Sequence, residues 1–288
     1  MLMRAEKMVY EIILSTTIKD PRIRAVYLNG SRANPKAPQD RFQDYDIVFM
    51  VEDTKPFIDD KEWLHTFGDL YLLQEPDKLD RGLGYDRDFS KSYAYLMLFS
   101  DGVRIDLQLK NIEEGLGHFQ SEKLKIKILD KDNILPKSET PTDQDYWVRK
   151  PHQGEFESAT DNFYWCLQNV AKGILRRELP YAMGMYYDTT LKSLHKMMDW
   201  WLGMQHNFQV SAGKYGKYYE HYLSKEYWAL YKDCYPAGDY DSIREALLIA
   251  CHLFKELGEE VATALGYPYP RQHEVRMMKY LRKEKIIR

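Results

Sequence analysis

The hydrophobic residues of this 288-residue chain change their spacing near residue 150. Before that point, short alternating apolar runs end at turn residues, a pattern typical of β-strands mixed with helices. After it, apolar residues recur at steps of three and four, which is typical of amphipathic helices. The change of period predicts an α+β fold, in which an N-terminal domain with a mixed β-sheet precedes an α-helical C-terminal domain.

The first half is predicted to open with a helix and to continue as strands. We expect the helix at residues 4–19, with Met8, Ile12 and Ile13 on its apolar side. Asp101-Gly102 favours a two-residue type I′ hairpin turn. Residues 77–92 carry many charges and two glycines, which predicts a loop. The predicted strands are 23–28, 44–51, 93–99, 103–109 and 125–129.

The second half is predicted to be helical after a proline-containing linker. Helical periodicity is clearest over residues 156–174, 191–202 and 243–265. Residues 136–151 contain three prolines, which favours an extended connection. We therefore expect domains at 1–135 and 152–288, joined by a linker at 136–151, with a ligand cleft between them.

Charge and composition exclude several classes of protein. Lys and Arg number 41 against 44 Asp and Glu, and the first 150 residues contain 23 basic and 27 acidic residues. A nucleic-acid partner is not expected, because neither half has a basic profile. No uncharged apolar run reaches about 18 residues, so no membrane span is predicted. The absence of a signal peptide and of CxxC spacing favours a cytoplasmic location. The sequence does not distinguish a monomer from a dimer.

Three aspartates form the most informative pattern in the chain. Asp44 and Asp46 are two residues apart in a predicted strand, so their side chains share one face. Asp106 lies inside the apolar strand 103–109, where an unpaired charge is costly. If the two strands are neighbours, the three carboxylates meet, and oxygen ligands of this kind suit Mg²⁺. Asp106 could alternatively pair with Arg104 or with a lysine.

Gly30 and Ser31 follow the first predicted strand and form a candidate phosphate site. Gly allows the backbone to approach a phosphate, while the Ser hydroxyl and free N–H groups can bind its oxygens. Arg32 could add a charge-assisted contact. A Gly-Ser turn or an Asp-x-Asp pair is ordinary when it stands alone. The combination favours catalysis, because a phosphate site beside carboxylates on a metal is suited to nucleotidyl transfer by in-line displacement.

These motifs resemble the signature of the DNA-polymerase-β-like nucleotidyltransferase superfamily. More narrowly, the chain resembles the aminoglycoside 6-adenylyltransferases, also called streptomycin adenylyltransferases, and the resemblance extends over nearly the whole chain. The segments that carry it are Arg22–Arg32, Phe42–Ile47, Asp101–Leu107, Leu129–Asp132, Ala171–Gly173 and Ser211–Tyr218.

The resemblance implies transfer of AMP from ATP to the 6-hydroxyl of streptomycin, with antibiotic resistance as the result. Asp44 and Asp46 would bind Mg²⁺, while Asp106 would either complete the metal site or accept the proton of the acceptor hydroxyl. The triphosphate would be held by residues of the Gly30–Arg32 segment, and Lys172 could reach it across the cleft. Gln108 departs from the family, which tends to carry Thr there, and could narrow the acceptor pocket.

A cationic acceptor is also physically reasonable for this chain. Streptomycin carries guanidinium groups, which carboxylates bind well and aromatic rings can stack upon. Two other hypotheses remain open at the level of sequence. One keeps the chemistry with another acceptor, such as a lincosamide, a protein side chain or an RNA 3′ end; the other is a non-catalytic nucleotide-binding module. The candidate acceptor-binding residues are Tyr95, Gln108, Glu155, Glu157, Asp161 and Trp165.

Overall fold

A computed structural model describes residues 3–137 and 139–287 of the chain. The chain divides into two units, Met1–Asp145 and Tyr146–Arg288. The boundary falls inside the predicted linker. The first unit contains a mixed sheet with helices and the second is helical, so the predicted α+β class is confirmed.

A six-stranded sheet organises the first unit. Its spatial order is β3-β4-β5-β2-β1-β6. β2 and β5 are parallel, and the other neighbouring pairs are antiparallel. The parallel pair places the beginnings of β2 and β5 at the same edge of the sheet, where β1 ends. The strands are β1 (Ile23–Asn29), β2 (Tyr45–Val51), β3 (Leu70–Gln74), β4 (Ser92–Phe99), β5 (Arg104–Asn111) and β6 (Lys125–Asp130).

Hydrophobic side chains cover both faces of the sheet. On one face, Val9 and Ile13 of the first helix pack into a cluster with Ile47 and Leu107. On the other face, Phe119 belongs to a smaller cluster with Val48 and Met50. Because residues of a strand alternate between faces, β2 contributes to both clusters. The helices of this unit are α1 (Glu6–Lys19), α2 (Lys55–Asp59), α3 (Pro76–Gly82) and α4 (Ile112–Ser121).

The structure differs from the predicted local features in three places. Met8 is 49% exposed, because α1 is apolar on more than one side and turns Val9 toward the core instead. The β4–β5 turn is not type I′: only Gly102 of its Asp-Gly pair has a positive φ, and Gly102 N donates to Phe99 O. Part of the predicted 77–92 loop is helix α3, which buries none of its residues and therefore lacks an apolar period.

The second unit is built from seven α-helices within the described residues. Phe163 of α5 and Phe254 of α10 stack with centroids 3.7 Å apart at the centre of its hydrophobic cluster. Gly266 ends α10 in the left-handed conformation with φ of 72°. The helices are α5 (Gln153–Leu175), α6 (Leu179–Met185), α7 (Lys192–Gln205), α8 (Tyr219–Tyr222), α9 (Lys225–Asp233), α10 (Tyr240–Leu265) and α11 (Arg271–Lys283). Across the described part of the chain, every helix is too short or too polar to cross a membrane.

Candidate active site

Asp46 and Asp106 are paired directly across the parallel strands β2 and β5. Side chains in register on neighbouring strands point to the same face of a sheet. Asp44 lies just before the first residue of β2 and two residues before Asp46. It therefore adds a third carboxylate at the edge of the sheet. The structure therefore places Asp46 and Asp106 side by side on neighbouring strands, as expected, with the charge of Asp44 acting on Asp46.

The protonation of Asp46 reflects its surroundings. Burial, together with the negative charges of Asp106 and Asp44, raises the pKa of Asp46 to about 6. Burial also raises the pKa of Asp44; there Arg104 opposes the shift and the charge of Asp106 adds to it. The raised pKa values of both groups therefore reflect first the burial of the carboxylates and second the like charges beside them.

Arg104 is the principal counter-charge of these carboxylates. Its guanidinium donates from Nε to Oδ1 of Asp106 at 2.8 Å and from Nη2 to Oδ2 at 2.7 Å. The same Nε is 3.6 Å from Oδ2 of Asp44. Arg104 begins β5 two residues before Asp106, so both side chains extend from the same face of one strand.

Gly30 lies directly beside the carboxylates. It follows β1, whose last residue, Asn29, is paired with Asp46. Gly30 has φ of 71°, and a Cβ atom added to it would be 2.0 Å from Oδ2 of Asp46. Only glycine fits here, because both the left-handed backbone and the close approach exclude a side chain. The segment Gly30–Ala33 then forms one 3₁₀ turn rather than the start of a longer helix.

Arg32 leaves this turn away from the Gly-Ser backbone. Its guanidinium lies 3.8 Å from the centroid of the Tyr45 ring, donates to Gln43 O at 2.8 Å and faces Glu6 at 3.4 Å. The Arg32 side chain is only 6% exposed, and its Nε is buried without a hydrogen-bond partner. Ser31 is half-buried in the same turn. Unpartnered buried donors are unusual in folded proteins and are found at functional sites.

A cavity of about 530 Å³ adjoins the carboxylates within the first unit. Asp44 lines it, as do four arginines: Arg4, Arg32, Arg41 and Arg104. The remaining wall comes from residues 3–6, 39–45 and 102–104. The wall also carries the carboxylates of Glu6, Asp40 and Asp44, so the cavity offers contacts to both anionic and cationic groups of a ligand.

The three carboxylates have the donor chemistry of a magnesium site, because hard cations prefer oxygen ligands. The raised pKa values of Asp44 and Asp46 fit a position that a cation would neutralise. In residues 3–137 and 139–287, however, no three His, Cys, Asp or Glu side chains are gathered closely enough to hold an ion. The donor set fits Mg²⁺, but these side chains would have to rotate to bind it together.

Two predicted acceptor-binding residues lie on strands of the first unit. Tyr95 is fully buried and donates through its hydroxyl to Phe57 O at 2.9 Å, so the expected stacking on a substrate is not available to it. Tyr95 of β4 is paired with Leu107 of β5. Leu107 is one residue beyond Asp106, so Tyr95 and Leu107 lie on the face of the sheet opposite Asp106. Gln108 is half-buried, two residues beyond Asp106 on the same face.

The other candidates lie on α5 of the second unit. Glu157, Asp161, Trp165 and Lys172 recur at steps of four and seven, so they follow one face of the helix. The first three are exposed, Trp165 by 66%, and Lys172 is half-buried. Glu155 instead caps the helix: its carboxylate accepts from His152 N at 3.0 Å, which explains its presence without a ligand.

Comparison with known proteins identifies the family to which this sheet and its carboxylates belong. The family model of streptomycin adenylyltransferase matches residues 3–284. The chain belongs to the streptomycin adenylyltransferase family. It is therefore a nucleotidyltransferase enzyme, as the sequence predicted.

Individual members of the streptomycin adenylyltransferase family are similar to this chain along most of their length. An aminoglycoside 6-adenylyltransferase of Campylobacter jejuni is 38% identical over 93% of this chain and 92% of its own. One from Bacillus subtilis (strain 168) is 32% identical over 93% and 94%. A crystal structure of an aminoglycoside 6-adenyltransferase from Bacillus subtilis is 28% identical, with a TM-score of 0.48 over 98% of this chain and 99% of that one.

Sequence reasoning missed Arg104 as a member of the site in this family protein. The alternative that Asp106 pairs with Arg104 is what the structure shows, but Arg104 was not predicted as a neighbour of Asp44. The structure shows that it contacts Asp106 and approaches Asp44 together. The available signal was its position two residues before a mid-strand carboxylate, which places both on one face.

Proposed function

We propose that this protein transfers AMP from ATP to a hydroxyl group of an aminoglycoside, and that the acceptor is the 6-hydroxyl of streptomycin. Modification of the drug would make the host resistant to it. The observation that carries the proposal is the direct pairing of Asp46 with Asp106 beside Gly30, in a chain of the streptomycin adenylyltransferase family. Carboxylates beside a Gly-Ser turn suit metal-assisted nucleotidyl transfer.

The reaction would be an in-line displacement at the α-phosphorus of ATP. A bond forms from the acceptor oxygen to that phosphorus, while the bond from the phosphorus to the oxygen bridging to the β-phosphate breaks and pyrophosphate leaves. Asp44 and Asp46 would hold Mg²⁺. When bound, the ion would neutralise charge on the phosphate oxygens and on the leaving group. Asp106 would act either as a third ligand or as the acceptor of the hydroxyl proton.

The triphosphate would lie beside Gly30 and Ser31, next to the cavity lined by arginines. The missing side chain of Gly30 lets the Asp46 carboxylate lie against the backbone of this turn, so a phosphate held by Ser31 would be next to that carboxylate. Arg32, nearly buried with an unpartnered Nε, supplies a fixed positive charge at the wall of that cavity. Lys172 of α5 stays a prediction for a phosphate contact, on the resemblance alone.

A cationic acceptor would be recognised through the exposed face of α5. Glu157 and Asp161 offer carboxylates for guanidinium groups, and Trp165 offers an exposed indole for stacking. Gln108, on the same sheet face as Asp106, would contact the acceptor near the reacting hydroxyl. Buried Tyr95 is not part of this proposal.

The test is a pyrophosphate-release assay with ATP and Mg²⁺ over a panel of aminoglycosides and a lincosamide. Mass spectrometry of the product should show the addition of AMP to streptomycin, a gain of ~329 Da calculated from the formula of AMP less water. Pyrophosphate release with another drug only would refute the acceptor and keep the chemistry. ATP binding without release under any condition would instead support a non-catalytic module.

A further inference from the structure

We propose that Arg104 is a built-in counter-ion that occupies the cation position of the three-carboxylate site and must release Asp106 before a divalent metal binds. The inference rests on the proposed function in one respect, namely that these carboxylates bind a metal. It adds a positioning residue that sets how tightly the protein binds that metal.

The first observation is the geometry of the pair. Both oxygens of Asp106 accept hydrogen bonds from Arg104, at 2.8 and 2.7 Å. A two-pronged guanidinium contact occupies the same carboxylate oxygens that a metal would need. Oxygen atoms engaged in this way are free for a metal only after the guanidinium rotates away.

The second observation concerns charge. Arg104 also lies 3.6 Å from Asp44, so one guanidinium is shared between two of the three carboxylates. A guanidinium stays charged at every pH at which proteins fold, so it competes with a bound cation by direct repulsion. Removing its charge should therefore favour the metal even where the hydrogen bonds themselves are weak.

The third observation concerns the positions of the three carboxylate side chains relative to one another. In the described residues no three acidic, histidine or cysteine side chains are gathered as a ligand set, although Asp46 and Asp106 are direct neighbours on paired strands. Both oxygens of Asp106 accept from Arg104, so neither is free to join Asp46 and Asp44 as a ligand. Release from Arg104 would allow Asp106 to turn toward Asp46.

The test measures Mn²⁺ binding to the full-length protein without ATP or drug, by electron paramagnetic resonance of the free ion. We expect Arg104→Gln to bind Mn²⁺ about fivefold more tightly than the wild type, the scale of a partly exposed ion pair. Arg104→Lys, which keeps the charge but loses the two-pronged contact, should lie between them. The increase in melting temperature caused by Mn²⁺ should follow the same order.

Arg22 provides a matched control. It pairs with Asp20 two residues away at 2.5 Å, and its side chain is 44% exposed against 45% for Arg104. Arg22→Gln removes the same kind of surface pair far from the carboxylates in sequence and should leave Mn²⁺ affinity unchanged. An equal change in both variants would overturn the inference, since it would reflect net charge alone.

The remaining outcomes separate this inference from the proposed function. One outcome is that the wild type binds Mn²⁺, Asp46→Asn abolishes this binding, and Arg104→Gln binds no more tightly than the wild type. That outcome would refute the counter-ion role of Arg104 and leave the metal site intact. Failure of every variant to bind Mn²⁺ would refute the metal role of the carboxylates and with it the counter-ion. If Arg104→Gln is poorly folded, Arg104→Lys tests the inference: it should bind Mn²⁺ more tightly than the wild type, and equal or weaker binding would refute the counter-ion role.

Discussion

Gly30 and Asp46 are in such close contact that a Cβ atom on residue 30 would lie 2.0 Å from Oδ2 of the aspartate. The backbone at Gly30 also has φ of 71°. Any side chain there must therefore strain the turn and push aside a carboxylate of the site. The conformation of the turn after β1 and the position of the Asp46 carboxylate on β2 therefore depend on each other.

Replacement of Gly30 by alanine should consequently damage the site more than the fold. We expect Gly30→Ala to cost about 1–2 kcal/mol of unfolding free energy for the left-handed backbone. Displacement of Asp46 should lower kcat/KM by about a hundredfold or more. Urea unfolding and steady-state kinetics measure the two effects. Gly117→Ala is the control: Gly117 is on helix α4 with open space around it, so stability and activity should be kept.

Removing the charge of Asp46 should stabilise the metal-free protein in a pH-dependent way. Because its folded pKa of about 6 exceeds the ordinary value of 3.8, the proton binds the folded state more tightly. The resulting stability is complete below pH 3.8 and is lost as the pH rises through about 6. Above that range Asp46→Asn should be more stable than the wild type by up to about 3 kcal/mol, with turnover lost.

The measurement is thermal unfolding with a chelator from pH 4 to 8, and Asp101→Asn is its control. Burial raises the pKa of Asp101, but hydrogen bonds from Arg4 outweigh it and hold the pKa below the ordinary value. Ionised Asp101 therefore stabilises the fold above that value, so Asp101→Asn should be the less stable protein at pH 8. The same sign for both variants would contradict the account of Asp46.

Asp106→Asn should distinguish the two roles open to that carboxylate. In either role we expect turnover to fall by several orders of magnitude, since the residue adjoins the reacting groups. If Asp106 accepts the hydroxyl proton, the variant should keep the wild-type affinity for Mg·ATP. If it is a metal ligand, that affinity should fall together with turnover. Equilibrium titration with a non-hydrolysable ATP analogue measures the nucleotide affinity, and steady-state kinetics measure the turnover. Turnover near the wild-type level would remove Asp106 from the mechanism.

The exposed face of α5 should affect the acceptor and not the nucleotide. Trp165→Ala and Asp161→Asn are each expected to raise KM for streptomycin about tenfold, the scale of one stacking or charged contact, with KM for ATP unchanged. Both side chains are exposed, so melting temperatures should stay within a degree or two of the wild type. Glu155→Ala should instead lower stability and leave substrate binding unchanged. It removes the capping box of α5, which should cost about 1 kcal/mol of unfolding free energy, and the KM values for streptomycin and ATP should not change.

Tyr95→Phe should weaken the fold without affecting substrate binding. The variant removes a buried hydrogen bond to Phe57 O, which still accepts from Trp63 Nε1 at 2.9 Å. We expect a loss of about 1 kcal/mol in chemical denaturation. KM for streptomycin should be unchanged, since Tyr95 lies on the face of the sheet opposite Asp106. A raised KM at wild-type stability would return Tyr95 to the acceptor site.

The sequence by itself determined the secondary structure that has a strong local signal. The strands that carry Asp46 and Asp106 and the long helices α5 and α10 were predicted near their observed bounds, because apolar periodicity reports which face of an element is buried. Helix α3 was missed for the same reason, since it buries no residue. The three carboxylates and the glycine beside them were likewise visible as residue types at a given spacing.

Only the tertiary structure decided which strands are neighbours and what each side chain meets. The parallel pairing of β2 with β5 sets Asp46 opposite Asp106 across about 60 residues of chain, and no local pattern specifies such a long-range choice. The pairing of β4 with β5 places Tyr95 in the core opposite Leu107, and the pairing of β2 with β5 brings Arg104 within 3.6 Å of Asp44. Local periodicity selects the face of a strand, whereas the partners on that face follow from the packing of the whole sheet.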